Sequence, residues 1–245
     1  MPMTKVAHFA LKDGGTVPVE IKHRKGARHL RLSLGLNNQL VASVPWRCKQ
    51  GDITRFLEKN RAWAEMQLSQ APRLLSLEEW FERHPTLSGS GDQFLVSIEQ
   101  TNQLKASYRF EKGGADIVLR LPNKSESLSL ALNRLVRRFA KDALPCRVAY
   151  HAKRLGLNYN RVSARDQKSR WGSCSSNGDL SLNWRLVLLE PDLQDYVILH
   201  ELAHLTEMNH SARFWSLLET YDPDLKQHET VLDAVTAMVM RVGRL

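Results

Sequence analysis

Two histidines and a glutamate in the second half of the chain have the types and spacing needed to hold a metal ion and activate water. His200, Glu201 and His204 form His-Glu-x-x-His in an apolar run that no Gly or Pro interrupts after Pro191. The run predicts a helix, on which residues four apart share a face, so both imidazoles can reach one zinc ion at about 2.0 to 2.1 Å. Glu201 flanks that face, where it can take a proton from metal-bound water without being a ligand.

A catalytic zinc site normally has three protein ligands and one open position, so a third ligand is required. His210 is the first candidate, because Asn209 is predicted to end the helix in a left-handed conformation and Ser211 to cap a second helix over residues 212–218. The turn between the helices would direct His210 back at the pair. Weaker candidates are Glu207, Glu219, His228 and Glu229.

The alternative to a metal site is a plain amphipathic helix, because the bare motif also arises by chance. The third histidine and the apolar flanks favour the metal, since a buried histidine pair without one would need other partners.

Length and composition predict a globular protein. The chain has 245 residues, of which 42% are hydrophobic and 25% charged, enough for one large domain or two small ones. The first residues lack the apolar core of a signal peptide, and eighteen apolar residues never run together, so we expect a cytoplasmic protein without a membrane partner. Cys48, Cys146 and Cys174 lack CxxC spacing, which argues against a disulfide framework and a cysteine-held zinc; we expect Cys174 to be a small buried residue.

The chain is basic, with a formal net charge of +9 and a pI of about 9.6. Such a charge favours a negatively charged partner. The basic clusters are short, however, and solvated faces explain each of them: residues 22–25, 134–138 and 153–154. The charge therefore predicts only a weak attraction to nucleic acid or polyphosphate.

The first half of the chain is predicted to be rich in β-strands. Alternating apolar and polar residues predict three short antiparallel strands at residues 17–21, 30–34 and 40–44. One helix follows, from Asp52 to Met66, with one buried face. Over residues 72–91 the apolar residues no longer recur at helical spacing, which predicts a connection with one helical turn near Trp80. Three further strands are predicted at residues 94–98, 104–110 and 116–121.

The second half is predicted to be mainly helical. A long helix begins at a Ser125 cap and ends at Gly156, with a kink or a break at Pro145. A final helix over residues 231–242 is expected to pack against the core and to have no other role. With the domain change near residues 122–125, the chain is predicted to be an α+β protein. Its parts are a β-rich N-terminal region with one helix at residues 1–124 and a helical catalytic domain with a small sheet at residues 125–245.

A small sheet is predicted just before the metal helix. A strand at Val162 is expected to turn at Asn177-Gly178 and return over residues 180–186, and Pro191 suits the first position of the metal helix. The returning strand either offers backbone hydrogen bonds to an extended substrate, as in β-augmentation, or is only scaffold. The two interpretations are equally supported by the sequence.

Four ordered blocks of the sequence together resemble the YgjP-like family of zinc metallopeptidases, which are relatives of the SprT-like and WLM-type domains. The blocks lie at residues 169–174, 182–186, 196–205 and 209–215, and the similarity is close over residues 148–232. The resemblance implies a zincin-like core with His200, His204 and His210 as ligands and Glu201 as general base. It leaves the substrate open, because a bacterial member is described as a UTP pyrophosphatase.

Two reactions can use such a site. In a metallopeptidase, zinc polarises the scissile carbonyl while Glu201 takes the proton of the attacking water. In a nucleoside triphosphate pyrophosphatase, Arg170 or Arg185 would neutralise phosphate charge, although no Gly-rich phosphate loop is present. A non-catalytic zinc-binding module would leave Glu201 without a purpose. Peptide is therefore the leading substrate class, with a nucleotide as the alternative.

Four residues near the motif are expected to contact the substrate or support the metal ligands. They are Arg170, Trp171, Asn183 and Arg185. For Trp171, and for the neighbouring Trp184, a place in the core is an equally good explanation.

Overall fold

A computed structural model of the protein describes residues 4–244, apart from residues 12–14, 36, 72, 112 and 124–126. The chain is an α+β protein whose first half is rich in strands and whose second half is mainly helical, so the predicted fold class is confirmed. It divides into two compact units, one formed by Met1–Leu74 with Arg244–Leu245 and the other by Leu75–Gly243. None of the helices in the described ranges has both the length and the apolar character that crossing a bilayer requires.

In its described residues, the first unit contains one four-stranded sheet and two helices. Its elements are β1 (Thr4–Ala10), β2 (Thr16–Arg24), β3 (Arg31–Leu34), β4 (Leu40–Pro45), α1 (Gln50–Lys59) and α2 (Arg61–Ser69). The strand order is β1-β2-β4-β3. The predicted all-antiparallel arrangement is wrong, because β4 inserts between β2 and β3 and pairs with β2 in parallel. The completely buried Ala42 and Val44 of β4 explain this central place in the sheet.

The predicted helix over residues 52–66 is interrupted. The side-chain amide of Asn60 donates a hydrogen bond to the carbonyl oxygen of Phe56 at 2.8 Å, and α1 ends there before α2 begins. Asparagine side chains compete with the backbone for its hydrogen-bonding groups, which accounts for the break. Ile53, Leu57 and Ala64 are buried and belong to the same apolar core as the sheet.

The second unit begins with a helix and a second four-stranded sheet. Its first elements are α3 (Leu77–Arg83), β5 (Thr86–Gly89), β6 (Asp92–Thr101), β7 (Ser107–Phe110) and β8 (Asp116–Pro122). The sheet has the order β5-β6-β8-β7. The tract predicted as a connection is therefore more ordered than expected, because Ser76 and Glu79 form a capping box that starts α3.

A long helix, α4 (Leu128–Leu155), follows this sheet. Ser125, the predicted cap, lies outside the described residues, and the side chain of Ser127 caps the helix. Pro145 does not split α4, whose buried residues on both sides of the proline keep it packed. Gly156 ends the helix in a left-handed conformation with φ 67°, as predicted.

The division between the two units differs from the predicted boundary at residues 122–125. The ring of Phe139 on α4 packs edge-on against Phe94 of β6 and Tyr108 of β7, with centroids 6.3 and 5.5 Å apart. Aromatic contacts of this size join the second sheet and α4 in one core. The predicted boundary therefore falls inside the second unit.

The rest of the second unit holds a three-stranded sheet and three more helices. The elements are β9 (Arg161–Arg165), β10 (Gly172–Cys174), β11 (Asp179–Asn183), a 3₁₀ helix (Trp184–Leu188), α5 (Pro191–Ala203), α6 (Ala212–Tyr221) and α7 (Leu225–Val239). The sheet order is β10-β11-β9, so β10 is an edge strand, a short one that the sequence did not predict. The returning strand ends at Asn183, sooner than expected, and runs parallel to β9. Pro191 occupies the first turn of α5, as predicted.

An ion pair fastens α5 to α4. Asp195 on α5 accepts hydrogen bonds from Arg147 Nε at 2.7 Å and from its Nη2, and it lies 3.0 Å from Nε2 of His151. Burial raises the pKa of Asp195, but the hydrogen bonds and charges of His151 and Arg147 outweigh it and lower the pKa below the ordinary 3.8. This network fixes the helix that carries His-Glu-x-x-His.

We expect Asp195→Asn to lower the free energy of unfolding at pH 7 by about 2 kcal/mol, because it leaves two largely buried basic groups without a carboxylate. A carboxyl group with a lowered pKa stabilises the fold above its unfolded pKa and loses this effect as the pH falls through the folded value. Denaturant unfolding should therefore show the two proteins converging below about pH 4. Glu99→Gln, which removes an exposed pair with Arg120, is the control and should change stability by less than about 1 kcal/mol.

Candidate metal centre

Three imidazoles meet at the end of α5. The ligand nitrogens of His200, His204 and His210 all lie within 4.8 Å of one another, and Nε2 of His200 is 3.0 Å from Nε2 of His210. No other group of three or more metal-binding side chains occurs in the part of the chain that the structure describes. Three nitrogens in one place with an open side are the arrangement that a catalytic divalent metal takes.

The turn after α5 brings His210 back to the pair. The helix ends at Ala203, and the backbone N–H groups of Thr206 and Glu207 donate hydrogen bonds to the carbonyl oxygen of Ala203. The predicted left-handed conformation of Asn209 is wrong, since its φ is not positive. The turn is thus made by tight backbone hydrogen bonds directly after the helix, and Asn209 is not needed to stop it.

The predicted cap of the next helix is confirmed. Ser211 precedes α6, and its side chain accepts a hydrogen bond from the backbone N–H of Phe214 at 3.5 Å. This start places the fully buried ring of Phe214 against all three imidazoles, with centroids 4.9, 4.5 and 4.7 Å away. The apolar ring packs against the imidazoles and restricts their rotation. The sequence marked Phe214 only as a helix residue.

A backbone contact also orients His204. Its Nδ1 lies 3.0 Å from the carbonyl oxygen of Glu207, and because a carbonyl only accepts, Nδ1 carries the hydrogen. Nε2 of His204 is therefore left with its lone pair for a metal. Glu207, a weaker ligand candidate, thus contributes its backbone, while His228, another such candidate, lies 2.8 Å from Asp222.

Burial keeps the paired histidines uncharged. It lowers the pKa of His200 to about 4, with smaller contributions from His204 and His210, and it also lowers the pKa of His204. A neutral imidazole is the form that binds a metal, so protons do not compete for these two ligands near neutral pH.

Glu201 points into the same site without being one of the three nitrogen donors. Its side chain is buried, and burial raises its pKa to about 8, an effect that the charge of Arg170 opposes. Its Oε2 atom has no hydrogen-bond partner among the described residues. A cation beside it would favour the charged carboxylate. The unpaired oxygen and the three imidazoles therefore fit a divalent metal.

A glycine on the edge strand makes room for this carboxylate. A Cβ atom at Gly172 of β10 would lie 2.5 Å from Oε1 and 2.6 Å from Cγ of Glu201, which is closer than real Cβ contacts. Sequence reasoning gave Gly172 no role, because the contact joins a strand and a helix that are distant in the chain. The only sign in the sequence that Gly172 is important was its place in the Trp-Gly-Ser block, which is part of the family resemblance.

These groups face a cavity of about 420 Å³. Its walls are mostly apolar and come from β10 and the residues just before it, from α5 and from α7. Trp171, Val197 and Leu232 are among the lining residues. Cys174 also lines the cavity and is only partly buried, so the prediction of a small buried residue is wrong. Burial, with the charges of Glu201 and Asp179, raises the pKa of Cys174 to about 11, which keeps the thiol protonated near neutral pH.

Two of the four residues expected to contact the substrate, Arg170 and Trp171, line the cavity. Trp171 is also a core residue, with 9% of its surface exposed, and its Nε1 donates a hydrogen bond to Oγ1 of Thr236 at 2.8 Å. Thr236 and Leu232 lie on α7, so the prediction that the final helix only packs is wrong. Trp184 is buried in the core away from the cavity lining.

Asn183 and Arg185, the other two expected contact residues, are completely buried and do not line the cavity. Asn183 donates a hydrogen bond to the carbonyl oxygen of Arg170 at 3.2 Å. Arg185 donates to Oδ1 of Asp166 at 2.6 Å and to the carbonyl oxygen of Val242 at 2.8 Å. Both therefore support the segment that leads to Arg170 and Trp171.

Comparison with known proteins identifies the family. A family model described as the YgjP-like metallopeptidase domain matches residues 28–235. The chain belongs to the YgjP-like family. The match confirms the resemblance carried by the four motif blocks, and it supports a metal-dependent peptidase in general.

Two solved structures are similar to part of this YgjP-like chain. The metallopeptidase zymogen of Pyrococcus abyssi abylysin has 25% identity and a TM-score of 0.33, over 36% of this chain and 91% of its own. The metallopeptidase zymogen of Methanocaldococcus jannaschii jannalysin has 26% identity and a TM-score of 0.32, over 36% of this chain and 92% of its own. TM-scores this low do not establish a shared fold. No curated protein matches the chain.

We expect Gly172→Ala in the YgjP-like protein to displace the Glu201 side chain and leave the three imidazoles in place. Peptide turnover should then fall at least about tenfold, because small displacements of a reacting group are costly, while metal content stays unchanged. Gly51→Ala is the matched control, since a Cβ there meets nothing within 4 Å. Wild-type turnover in Gly172→Ala would show that the close contact does not position Glu201.

Proposed function

We propose that the protein is a zinc-dependent peptidase in which Glu201 is the general base. The observation that supports this most is the meeting of three imidazole nitrogens beside a buried carboxyl oxygen that has no partner among the described residues. His200, His204 and His210 would hold the ion. When bound, zinc supplies a Lewis acid that polarises a carbonyl group and lowers the pKa of water to about 7.

Glu201 moves the proton in this reaction. Its carboxylate takes a proton from water as the water attacks the peptide carbonyl carbon, and then gives that proton to the leaving amine. The apolar walls of the cavity and the close contact with Gly172 limit the positions that the carboxylate can adopt. Restricting it in this way aligns the base with the attacked bond.

The edge strand β10 gives an extended peptide a place to bind. All three of its residues line the cavity, and among the described strands only β11 pairs with it, so one of its two edges is open. A peptide lying along this edge could form backbone hydrogen bonds with it, as in β-augmentation. Trp171, Val197 and Leu232 offer apolar surface for its side chains. The strand that best suits substrate binding is thus β10. For the returning strand, the sequence supported substrate binding and a scaffold role equally.

The nucleotide alternative has weaker support. Of the two arginines expected to neutralise phosphate, Arg185 is buried and bonded to Asp166, so only Arg170 lines the cavity. A triphosphate is usually held by several cationic groups or a metal with a Gly-rich loop. A non-catalytic zinc module would not need a buried carboxyl group beside the ion.

We expect purified protein to contain about one zinc per chain by elemental analysis, and His210→Ala to lose most of it. His228→Ala is the matched control and should retain the metal, because that imidazole is paired with Asp222. Full retention in His210→Ala would place the third ligand elsewhere.

We expect Glu201→Gln to keep the metal and to lose at least about a hundredfold in turnover, because the amide cannot accept the proton. The two proteins should be assayed side by side on an unfolded protein, on peptides and on nucleoside triphosphates. Turnover that disappears only in the mutant identifies the substrate class. An active Glu201→Gln would remove the general base from the mechanism, and lost nucleotide turnover without any peptide turnover would favour the pyrophosphatase.

A further inference from the structure

Nearly all of the net charge lies in the first compact unit. Residues 1–74 contain thirteen lysines and arginines against five aspartates and glutamates, a formal charge of +8. Residues 75–243, the second unit, contain twenty-one of each, a formal charge of zero, and the remaining cation, Arg244, belongs to the first unit. The attraction to anions that the sequence predicted therefore belongs to the first unit and not to the unit with the metal centre.

The strand register brings many of these cations to one end of the first sheet. The parallel strands β2 and β4 both end there, with Arg24 opposite Pro45, and the antiparallel β3 begins there, with Arg31 opposite Ser43. Neighbouring strands lie about 4.8 Å apart, so side chains on these strand ends are close. Six exposed basic residues occupy this end and the segments that join it: Arg24, Lys25, Arg28, Arg31, Arg47 and Lys49.

Carboxylates do not offset this charge. Within the described ranges, no ion pair joins any of the six to an acidic side chain. The nearest acidic residues along the chain already have partners, since Glu20 pairs with Lys22 at 2.8 Å and Asp52 with Arg55 at 2.7 Å. Concentrated positive charge of this kind attracts polyanions strongly at low salt.

An exposed tryptophan stands among the cations. Trp46 directly follows β4, and 51% of its surface is exposed. Nζ of Lys25 lies 5.7 Å from the centroid of its ring, and the ring of His23 packs edge-on at 6.3 Å. A large aromatic side chain left half in water contributes little to the core. Its flat face is, however, a surface on which an unpaired base can stack.

We propose that Trp46 and the six cations around it, here called the basic patch, bind single-stranded nucleic acid. The guanidinium and ammonium groups contact phosphates, and the indole stacks on a base. A duplex hides its base faces, so it would use the cations but gain nothing from Trp46. Inorganic polyphosphate has no flat face, and an acidic protein segment offers charge without bases. The single strand is the one polyanion that uses both features of the patch.

The test measures the binding of a labelled oligothymidylate to the full chain by fluorescence anisotropy. We expect Trp46→Ala to weaken binding about tenfold and Trp46→Phe to retain it, because stacking needs an aromatic face. The triple variant Arg24→Gln, Lys25→Gln, Arg28→Gln should reduce the slope of log affinity against log salt by about 2, at about 0.7 for each lost phosphate contact. Lys59→Gln, an exposed residue at the other end of α1, is the charge control and should match the wild type.

Each competing outcome has its own signature. Absence of binding by the wild type, or equal binding by Trp46→Ala, would overturn the proposal. So would displacement of the oligonucleotide by a duplex, inorganic polyphosphate or an acidic peptide at equal charge concentration, since charge alone would then explain the patch. Because the substituted side chains are exposed, thermal unfolding should be unchanged, which separates lost binding from lost structure. The metal-site variants are expected to bind the oligonucleotide like the wild type, so this proposal can fail or hold independently of the proposed peptidase.

Discussion

Three imidazoles and one buried carboxyl group are held together at the end of α5, and the candidate metal centre depends on this arrangement. Burial disfavours charge at both kinds of group, lowering the pKa of His200 and raising that of Glu201. One cation would relieve both effects, because it accepts the nitrogen lone pairs and favours the carboxylate. In the absence of a cation, the surrounding packing has to hold these groups in position. Phe214 restricts the imidazoles, and the Asp195 network holds the helix that carries two of them.

A second layer of buried polar groups positions the strand and loop opposite that helix. Arg185 is completely buried yet bonded to Asp166 and to a backbone carbonyl group, and Asn183 ties down the backbone of Arg170. Buried polar groups are stable only when their hydrogen bonds are made, so such a network specifies one loop conformation. The cavity wall that carries Arg170 and Trp171 is therefore as firmly placed as the helix it faces.

Local patterns in the sequence predicted the parts of this site that are local in the structure. The helix with His200 and His204 and the Ser211 cap follow from spacing and from short-range hydrogen bonds, and the structure places His210 beside the pair. Non-local contacts could not be predicted in this way. The parallel pairing of β2 with β4 depends on a strand inserting between two others. Gly172 matters only through its contact with Glu201, which lies almost thirty residues further along the chain. Arg185 was expected to contact the substrate or support the metal ligands, and its pairing with Asp166 could not be predicted because the two residues meet only in the folded chain.

The hydrogen bond from Trp171 to Thr236 affects the order in which the site forms during synthesis. The two residues are 65 positions apart in the chain, and α7 also supplies Leu232 to the cavity. During synthesis, His200, His204 and His210 are all added before Leu232 and Thr236. At that stage the α7 side of the cavity is missing, and the indole N–H of Trp171 has no threonine to which it can donate. The cavity wall is thus complete only after α7 has packed against Trp171.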